Sequence, residues 1–250
     1  MKKFLLSYIP ESLISKERRN TCLTFTFIAL IMLVLEYYGW QGPFINHISK
    51  QFGFFTPAKN ELFLKAQIYT SCSFFSLLFI LPLIFNYLFP IHHPTLKNIG
   101  LDGTDWKQAF LIYIPLVVLM MPILWIICKQ PSFYQFYPLY KPNSLKMFFI
   151  YELIYLTQFV SIEFFFRGFG LFRAEKIMPG YGIFIMIIPY SLVHIHKPFE
   201  EAIGSIFAGL VLGHLALKSK SIWPGVLVHA CIAFSADLFA MIHSGRFQAF

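Results

Sequence analysis

Long apolar runs recur along the chain, separated by shorter segments that carry most of the charge. A helix needs about 20 apolar residues to cross a bilayer core of roughly 30 Å. We predict seven spans, with approximate bounds 22–40, 66–90, 107–128, 147–166, 180–195, 200–217 and 221–243. The pattern therefore predicts an all-α fold, a polytopic transmembrane helical bundle of about seven spans, with six to eight as the range.

The fifth and sixth runs are short, and the segment between them, HIHKPFEE, is too polar to lie exposed in lipid. Irregular backbone at membrane depth is tolerated where it lines a cavity enclosed by protein. We therefore expect the ends of these two spans to line such a cavity. The widest gaps, 42–61 and 129–144, are predicted as loops, and residues 1–250 as a single membrane domain.

Composition and charge support this class. Apolar residues make up 57% of the chain and charged residues 13%, which indicates a membrane protein. The net charge of +8 comes from lysines and arginines between the apolar runs, where they meet lipid head groups. The expected surroundings are therefore a lipid bilayer and not a nucleic acid.

The distribution of basic residues also predicts an orientation. Lys and Arg number 12 on the side of the N-terminus and 8 on the opposite side, which favours a cytoplasmic N-terminus. We expect an integral protein of a bacterial inner membrane. The four cysteines lie in or beside apolar runs, so disulfides are not expected.

Ionisable side chains are concentrated in the second half of the chain. The first three spans carry one carboxylate, Glu36. The last four contain or border a much larger set: Glu152, Glu163, His194, Glu200, Glu201, His214, His229 and Asp237. Intramembrane ionisable residues usually face a bundle interior or an aqueous cavity. We therefore place a four-helix, catalytic-type core in this half.

Three groups on separate predicted helices are the main candidates. Glu163 and Arg167 are four residues apart and can pair on one helix face, either as a structural ion pair or as part of a site. His194 ends one apolar run, either as an interhelical hydrogen bonder or as a site residue. His229 has no acidic or arginine partner within one turn, so its partner must come from another helix.

A glutamate and two histidines allow two hydrolytic chemistries. Glu163, His194 and His229 can hold a divalent metal with an open position for water, as His₂Glu zinc sites do. Without a metal, the carboxylate can act as general base while the imidazoles donate to an oxyanion. The cofactor prediction is therefore none or a divalent metal, and no HExxH motif favours the metal version.

The motifs containing these residues resemble the CPBP intramembrane proteases, which include the CAAX-prenyl endopeptidases and the Abi proteins of bacteriocin immunity. The family pattern is a Glu-Glu-x-x-x-Arg helix, an aromatic-x-x-x-His helix and a His-x-x-x-Asn helix. The matching segments, in the same order, are IEFFFR at 162–167, YSLVH at 190–194 and HACIA at 229–233. The resemblance covers roughly residues 95–240.

Two positions depart from the family pattern. Ile162 stands where the family usually has the first glutamate, generally assigned to activating water, and Ala233 stands where it has the oxyanion-binding asparagine. A subset with a single glutamate carries H-x-x-K-P-x-x-E, which is similar to 194–201 here. The resemblance therefore implies Glu201 as an additional carboxylate near the site.

The resemblance implies an intramembrane endopeptidase that cleaves a membrane-associated protein or peptide. It implies Glu163 as general base or metal ligand and Arg167 as the cation that orients it. His194 would position the water, His229 would donate to the oxyanion or bind the metal, and Glu201 would be an auxiliary acid. The alternative is a catalytically inactive protein of the same fold that acts in binding or bacteriocin-type self-immunity. A transporter is a third hypothesis, but the half-repeats that would favour it are not evident.

Overall fold

The computed structural model describes residues 16–51, 59–90 and 95–249, and all regular secondary structure in these ranges is helical. We number seven principal helices. They are α1 (Lys16–Val34, continued by Leu35–Gly39), α2 (Lys59–Phe74, continued by Phe75–Ile80 and Leu81–Leu88), α3 (Trp106–Ile127), α4 (Leu145–Glu163, continued by Phe164–Leu171 and Phe172–Ile177), α5 (Gly182–Leu192), α6 (Phe199–Ser219) and α7 (Trp223–His243).

Six helices of the described chain are long and apolar enough to cross a membrane. They are Arg19–Gly39 of α1, Glu61–Leu88 of α2, α3, the whole of α4, α6 and α7. The all-α polytopic bundle predicted from the sequence is therefore confirmed. Two predicted bounds were wrong: the fourth span is much longer than 147–166, and the fifth helix is much shorter than a span.

Helix α4 runs through its charged residues for 33 residues, from Leu145 to Ile177. Its central part, Phe164–Leu171, is π-helical and entirely buried. The predicted span ended at 166, although the helix continues past Arg167 and Arg173. Both guanidinium groups are buried: Arg167 lies against Glu163 and the Tyr190 ring, and Arg173 pairs with Asn86, so neither arginine ends the helix.

Helix α5 has 11 residues. At about 1.5 Å per residue it is roughly 16 Å long, too short to cross a bilayer core. It packs antiparallel against α6, because Ile183 lies beside Gly213 and Ile187 lies beside Gly209. The connection from α5 to α6, 193–198, is irregular backbone.

The buried core gathers around α4 and α7. Helix α7 packs against α3 and α4, while α2 packs against the first part of α4. The phenylalanines of the π-helical segment are almost fully inaccessible and pack with α1, α2 and α5. This packing places the polar face of α4 against α7, deep in the bundle.

The two predicted loops contain helical turns. Residues 41–51 form Gln41–Pro43, Phe44–Ile48 and Ser49–Gln51, and the second loop contains Pro131–Phe136. The segment after this last helix is fixed by cations. Lys141 Nζ donates to the Gln135 and Phe136 carbonyl oxygens at 3.1 Å, and Arg246 donates to the carbonyl oxygens of Tyr134 and Tyr137.

Candidate active site

The centre of the site is a carboxylate shared by an arginine and a histidine. Glu163 Oε1 lies 3.1 Å from Arg167 Nη1 on the same helix and 2.9 Å from His229 Nδ1 on α7. Only 1% of the Glu163 side chain is exposed, and the Arg167 contact is an ion pair without an aligned hydrogen bond. The interhelical partner that the sequence required for His229 is therefore Glu163.

The start of α7 brings the two helices close together. Pro224 and Gly225 occupy its first turn, where a proline is tolerated because that N–H has no intrahelical acceptor. A Cβ at Gly225 would lie 2.8 Å from Glu163 Oε2. The Pro-Gly pair thus begins the helix, and the missing side chain makes room for the carboxylate.

The second histidine approaches the same region from α5. His194 is buried, and its Nδ1 lies 2.9 Å from the Tyr190 carbonyl oxygen. Since a carbonyl only accepts, Nδ1–H is the donor. Burial lowers the pKa of His194, and nearby Lys197 lowers it further, so this imidazole is neutral. Its Nε2 is left as a hydrogen-bond acceptor.

Tyr190 connects these groups. Its ring lies under the Arg167 guanidinium, 4.1 Å from ring centroid to Cζ, and contacts the rings of both histidines edge-on. Phe159 packs on His229 from the opposite helix, with centroids 4.4 Å apart. The aromatic groups hold the two imidazoles in place and separate Arg167 from solvent.

A cavity of about 40 Å³ lies beside this cluster. Its polar or hydroxyl-bearing lining residues are Tyr155, Gln158, His194, Lys197 and His229, and the rest of the lining is apolar or aromatic. A cavity needs roughly 10–15 Å³ to hold one water, so this space holds about three. The prediction that the ends of the fifth and sixth spans border a cavity is confirmed for the fifth, through His194 and Lys197.

Glu163 and Arg167 do not line this cavity, whereas Ile162 does. Adjacent helical residues point about 100° apart, and of these two neighbours Ile162 is the one that faces the cavity. The position that carries the first glutamate in the family pattern is therefore the one directed at the cavity, and here it is apolar. Glu163 reaches the cavity only through His229.

Glu201 lies one contact away from the cavity. Its Oε1 accepts from Lys197 Nζ at 2.7 Å, and its Oε2 accepts from the Tyr137 hydroxyl, also at 2.7 Å. Burial and the neighbouring carboxylate raise the pKa of Tyr137 well above its ordinary value, which keeps the hydroxyl a donor. Both oxygens of Glu201 therefore have a hydrogen-bond donor. Tyr137 holds the carboxylate in place, and the carboxylate in turn holds Lys197.

Two cavity residues were missed by sequence reasoning. Lys197 received no role, although its spacing of four residues from Glu201 favours the ion pair observed. Gln158 was not singled out, although an amide five residues before Glu163 in an apolar run is unusual. The structure places both beside the two histidines.

The placement of the histidines also tests the fit to a metal. His229 Nδ1 faces Glu163, and a guanidinium lies on the same carboxylate oxygen. Within the described residues, no group of three or more His, Cys, Asp or Glu side chains is arranged to hold a metal ion. Glu163, His194 and His229 are therefore not arranged around one metal position in the described structure, and a divalent metal stays a prediction.

Residues 144–235 match the family model described as Type II CAAX prenyl endopeptidase Rce1-like. This segment of the chain is similar to the CAAX prenyl endopeptidases. It runs from the residue before α4 to the middle of α7, so the matched segment contains every residue of the cluster around Glu163. No curated protein and no solved structure matches the chain.

Proposed function

We propose that the protein is an intramembrane endopeptidase that hydrolyses a peptide bond of a membrane-associated protein or peptide. One observation carries the proposal: a carboxylate–imidazole pair whose imidazole borders a water-sized cavity in a bundle of membrane-spanning helices. A CAAX-protease-like segment containing this pair adds to it.

His229 is the general base in this proposal. Glu163 accepts the Nδ1–H of the imidazole, which leaves the Nε2 lone pair as the basic atom. The carboxylate fixes the tautomer and stabilises the imidazolium that forms when Nε2 takes a proton. Arg167 holds the carboxylate ionised and oriented. Glu163 thus acts as a positioning residue, a role different from the direct base expected from the family resemblance.

The reaction is an addition followed by an elimination. Neutral His194 accepts a hydrogen bond from water at Nε2 and orients it. The water oxygen bonds to the peptide carbonyl carbon while one of its protons passes to His229 Nε2. The C–N bond then breaks, and the imidazolium returns that proton to the leaving nitrogen. The products are a carboxylic acid and an amine, and the two histidines end as they began.

The lining of the cavity indicates the substrate class. Apart from the polar groups named above, it is formed by aromatic and aliphatic side chains at membrane depth. A peptide carried by a lipid anchor or by its own apolar helix can reach such a site from the bilayer. We therefore propose lipid-anchored or membrane-embedded chains as substrates, with a CAAX-type prenylated peptide as the first to test.

The test uses purified full-length protein in proteoliposomes. The substrates are a farnesylated CAAX-type peptide and an unprenylated transmembrane peptide, with products identified by mass spectrometry. We expect cleavage of at least one, and a fall in kcat of at least about 100-fold in His229→Ala and Glu163→Gln. Matched controls are His214→Ala and Glu61→Gln, which change exposed residues of the same types.

The Glu163→Gln variant separates charge from position, because the amide can still accept the Nδ1–H of His229 but does not stabilise the imidazolium by its charge. Absence of any cleavage by folded wild-type protein would contradict the proposal and favour the binding protein, which Ile162 and Ala233 motivate.

A further inference from the structure

Gln158 is a buried amide whose oxygen is left without a partner. Its side chain lies on α4 with 6% of the residue exposed, and Oε1 has no hydrogen bond to any residue that the structure describes. Buried polar atoms without a partner are uncommon in folded proteins. Because the O and N atoms of a terminal amide can exchange places by a flip, Gln158 can present either an acceptor or an N–H donor to its surroundings.

What Gln158 faces is the cavity beside the two histidines. The Gln158 side chain therefore borders the place where we propose that water and the peptide carbonyl meet. A purely structural role would require a protein partner that the contacts within 16–51, 59–90 and 95–249 do not contain. An amide beside a reacting carbonyl can donate to its oxygen when the side chain turns toward it.

Lys197 borders the same cavity and is held in position from several sides. Its Nζ donates to Glu201 Oε1 at 2.7 Å, and its backbone N–H donates to the His194 carbonyl oxygen at 3.1 Å. An ammonium group has three N–H donors, and the contact with Glu201 uses one. The remaining donors and the positive charge are available to a group in the cavity.

We propose that Gln158 and Lys197 stabilise the oxyanion of the tetrahedral intermediate, and that Glu201 and Tyr137 position Lys197. When water adds, the carbonyl oxygen takes up the negative charge. The amide N–H and the ammonium N–H donate to it without transferring a proton. Ala233, at the position of the family's asparagine, carries no donor, so these two residues supply what that position lacks. The inference rests on the proposed function.

Substitutions at the two donors test the inference with the same proteoliposomes and peptides. We expect Gln158→Leu and Lys197→Met each to lower kcat by about 10²–10³-fold, while KM changes much less. Thr157→Val is the matched control, because this exposed neighbour donates to the Ile154 carbonyl oxygen of its own helix. Lys197→Arg should restore part of the lost kcat, since it keeps a cationic donor.

Substitutions at the two residues that position Lys197 should lower kcat by a smaller amount. Glu201→Gln and Tyr137→Phe should reduce kcat by about 10-fold, less than loss of a donor, because Lys197 remains. Melting temperatures separate chemistry from folding: Gln158→Leu removes no hydrogen bond seen within the described ranges, so its melting temperature should not fall. If either substitution prevents folding, Gln158→Met or Lys197→Leu replaces it, because these variants also lack an N–H donor.

The outcomes distinguish this inference from the function on which it rests. Unchanged kcat in Gln158→Leu and Lys197→Met, together with loss of activity in His229→Ala, would overturn the oxyanion assignment and leave the peptidase standing. A rise in KM alone would also overturn it and make Lys197 a binding residue. No cleavage by wild-type protein would overturn both.

Discussion

The contact between Glu163 and His229 concentrates three ionisable groups in a region closed to solvent. Burying a charge is costly unless it is paired. Here the carboxylate and the guanidinium neutralise each other, and the imidazole lies against the carboxylate. The carboxylate faces Arg167 on one side and an imidazole on the other. This arrangement keeps Glu163 anionic at membrane depth, which is the state that a histidine base requires.

Gly225→Ala tests how closely this pair is positioned. The added methyl would lie 2.8 Å from Glu163 Oε2, so the carboxylate or the first turn of α7 must shift. A displacement of about 1 Å at a reacting group can reduce the rate about 100-fold, and we expect that loss of kcat. Gly204→Ala is the control, because a Cβ there meets nothing within 4 Å. Wild-type activity in Gly225→Ala would contradict this close approach of the two helices.

At the scale of single residues, the sequence predicted which side chains belong to the site better than it predicted what each one contacts. Glu163 and Arg167 were identified as a pair by their spacing, and His229 was predicted to need a partner from another helix; both statements are confirmed by contacts. The contribution of Lys197 was missed, because its burial depends on the segment after α5 folding over the cavity. No local pattern encodes that packing.

At the scale of the helices, a second buried arginine, Arg173, links α4 to α1 and α2. Arg173 donates to Thr24 Oγ1 on α1, and to Asn86 Oδ1 and the Phe89 carbonyl oxygen at the end of α2. Its partners are neutral acceptors, and its guanidinium also lies over the Phe169 ring. Three elements are thus joined through one planar group with several donors.

Arg173→Ala should therefore destabilise the bundle without affecting the catalytic groups directly. The substitution leaves buried acceptors on two other helices without donors, at a cost on the order of 3 kcal/mol. Arg173→Lys keeps the charge but loses the forked geometry, and should be intermediate. The measurement is the melting temperature of the detergent-solubilised protein. Equal melting temperatures for all three proteins would show that this network contributes nothing to stability.

Helix α5 shows why some bounds could not be predicted. Apolar residues continue through Ile195, so the run resembles a nearly complete span. The helix nevertheless ends at Leu192. Of the residues that follow, His194 and Lys197 line the cavity, and Lys197 also pairs with Glu201 of α6. Gly209 and Gly213 of α6 let α5 approach closely, because they present no side chain to it.

For the molecule as a whole, the order of the spans fixes which loops share a face. Helices α1 and α2 each cross once, so α3 starts on the same face as α1, and α4 starts on the opposite one. Trp40 and Leu139, which border the cavity, both follow helices that end on that opposite face. The cavity is therefore displaced away from the face where α1 begins.

Cysteine labelling tests the orientation predicted from the basic residues. In a variant whose four native cysteines are alanine, Lys107→Cys and Lys146→Cys lie at the starts of α3 and α4 and are both exposed. With a cytoplasmic N-terminus, a membrane-impermeant maleimide should label the Lys146→Cys variant in intact cells and the Lys107→Cys variant only after lysis. The reverse pattern would place the N-terminus and the start of α1 outside.

The 40 Å³ cavity has a kinetic consequence. It accommodates water but not a peptide segment, so under the proposed function this conformation must open before it admits a substrate. Each turnover then includes an opening step that admits the peptide and a closing step that re-forms the site around the base. When such gating is slower than bond cleavage, replacing H₂O by D₂O leaves kcat nearly unchanged, whereas a slow proton transfer lowers it.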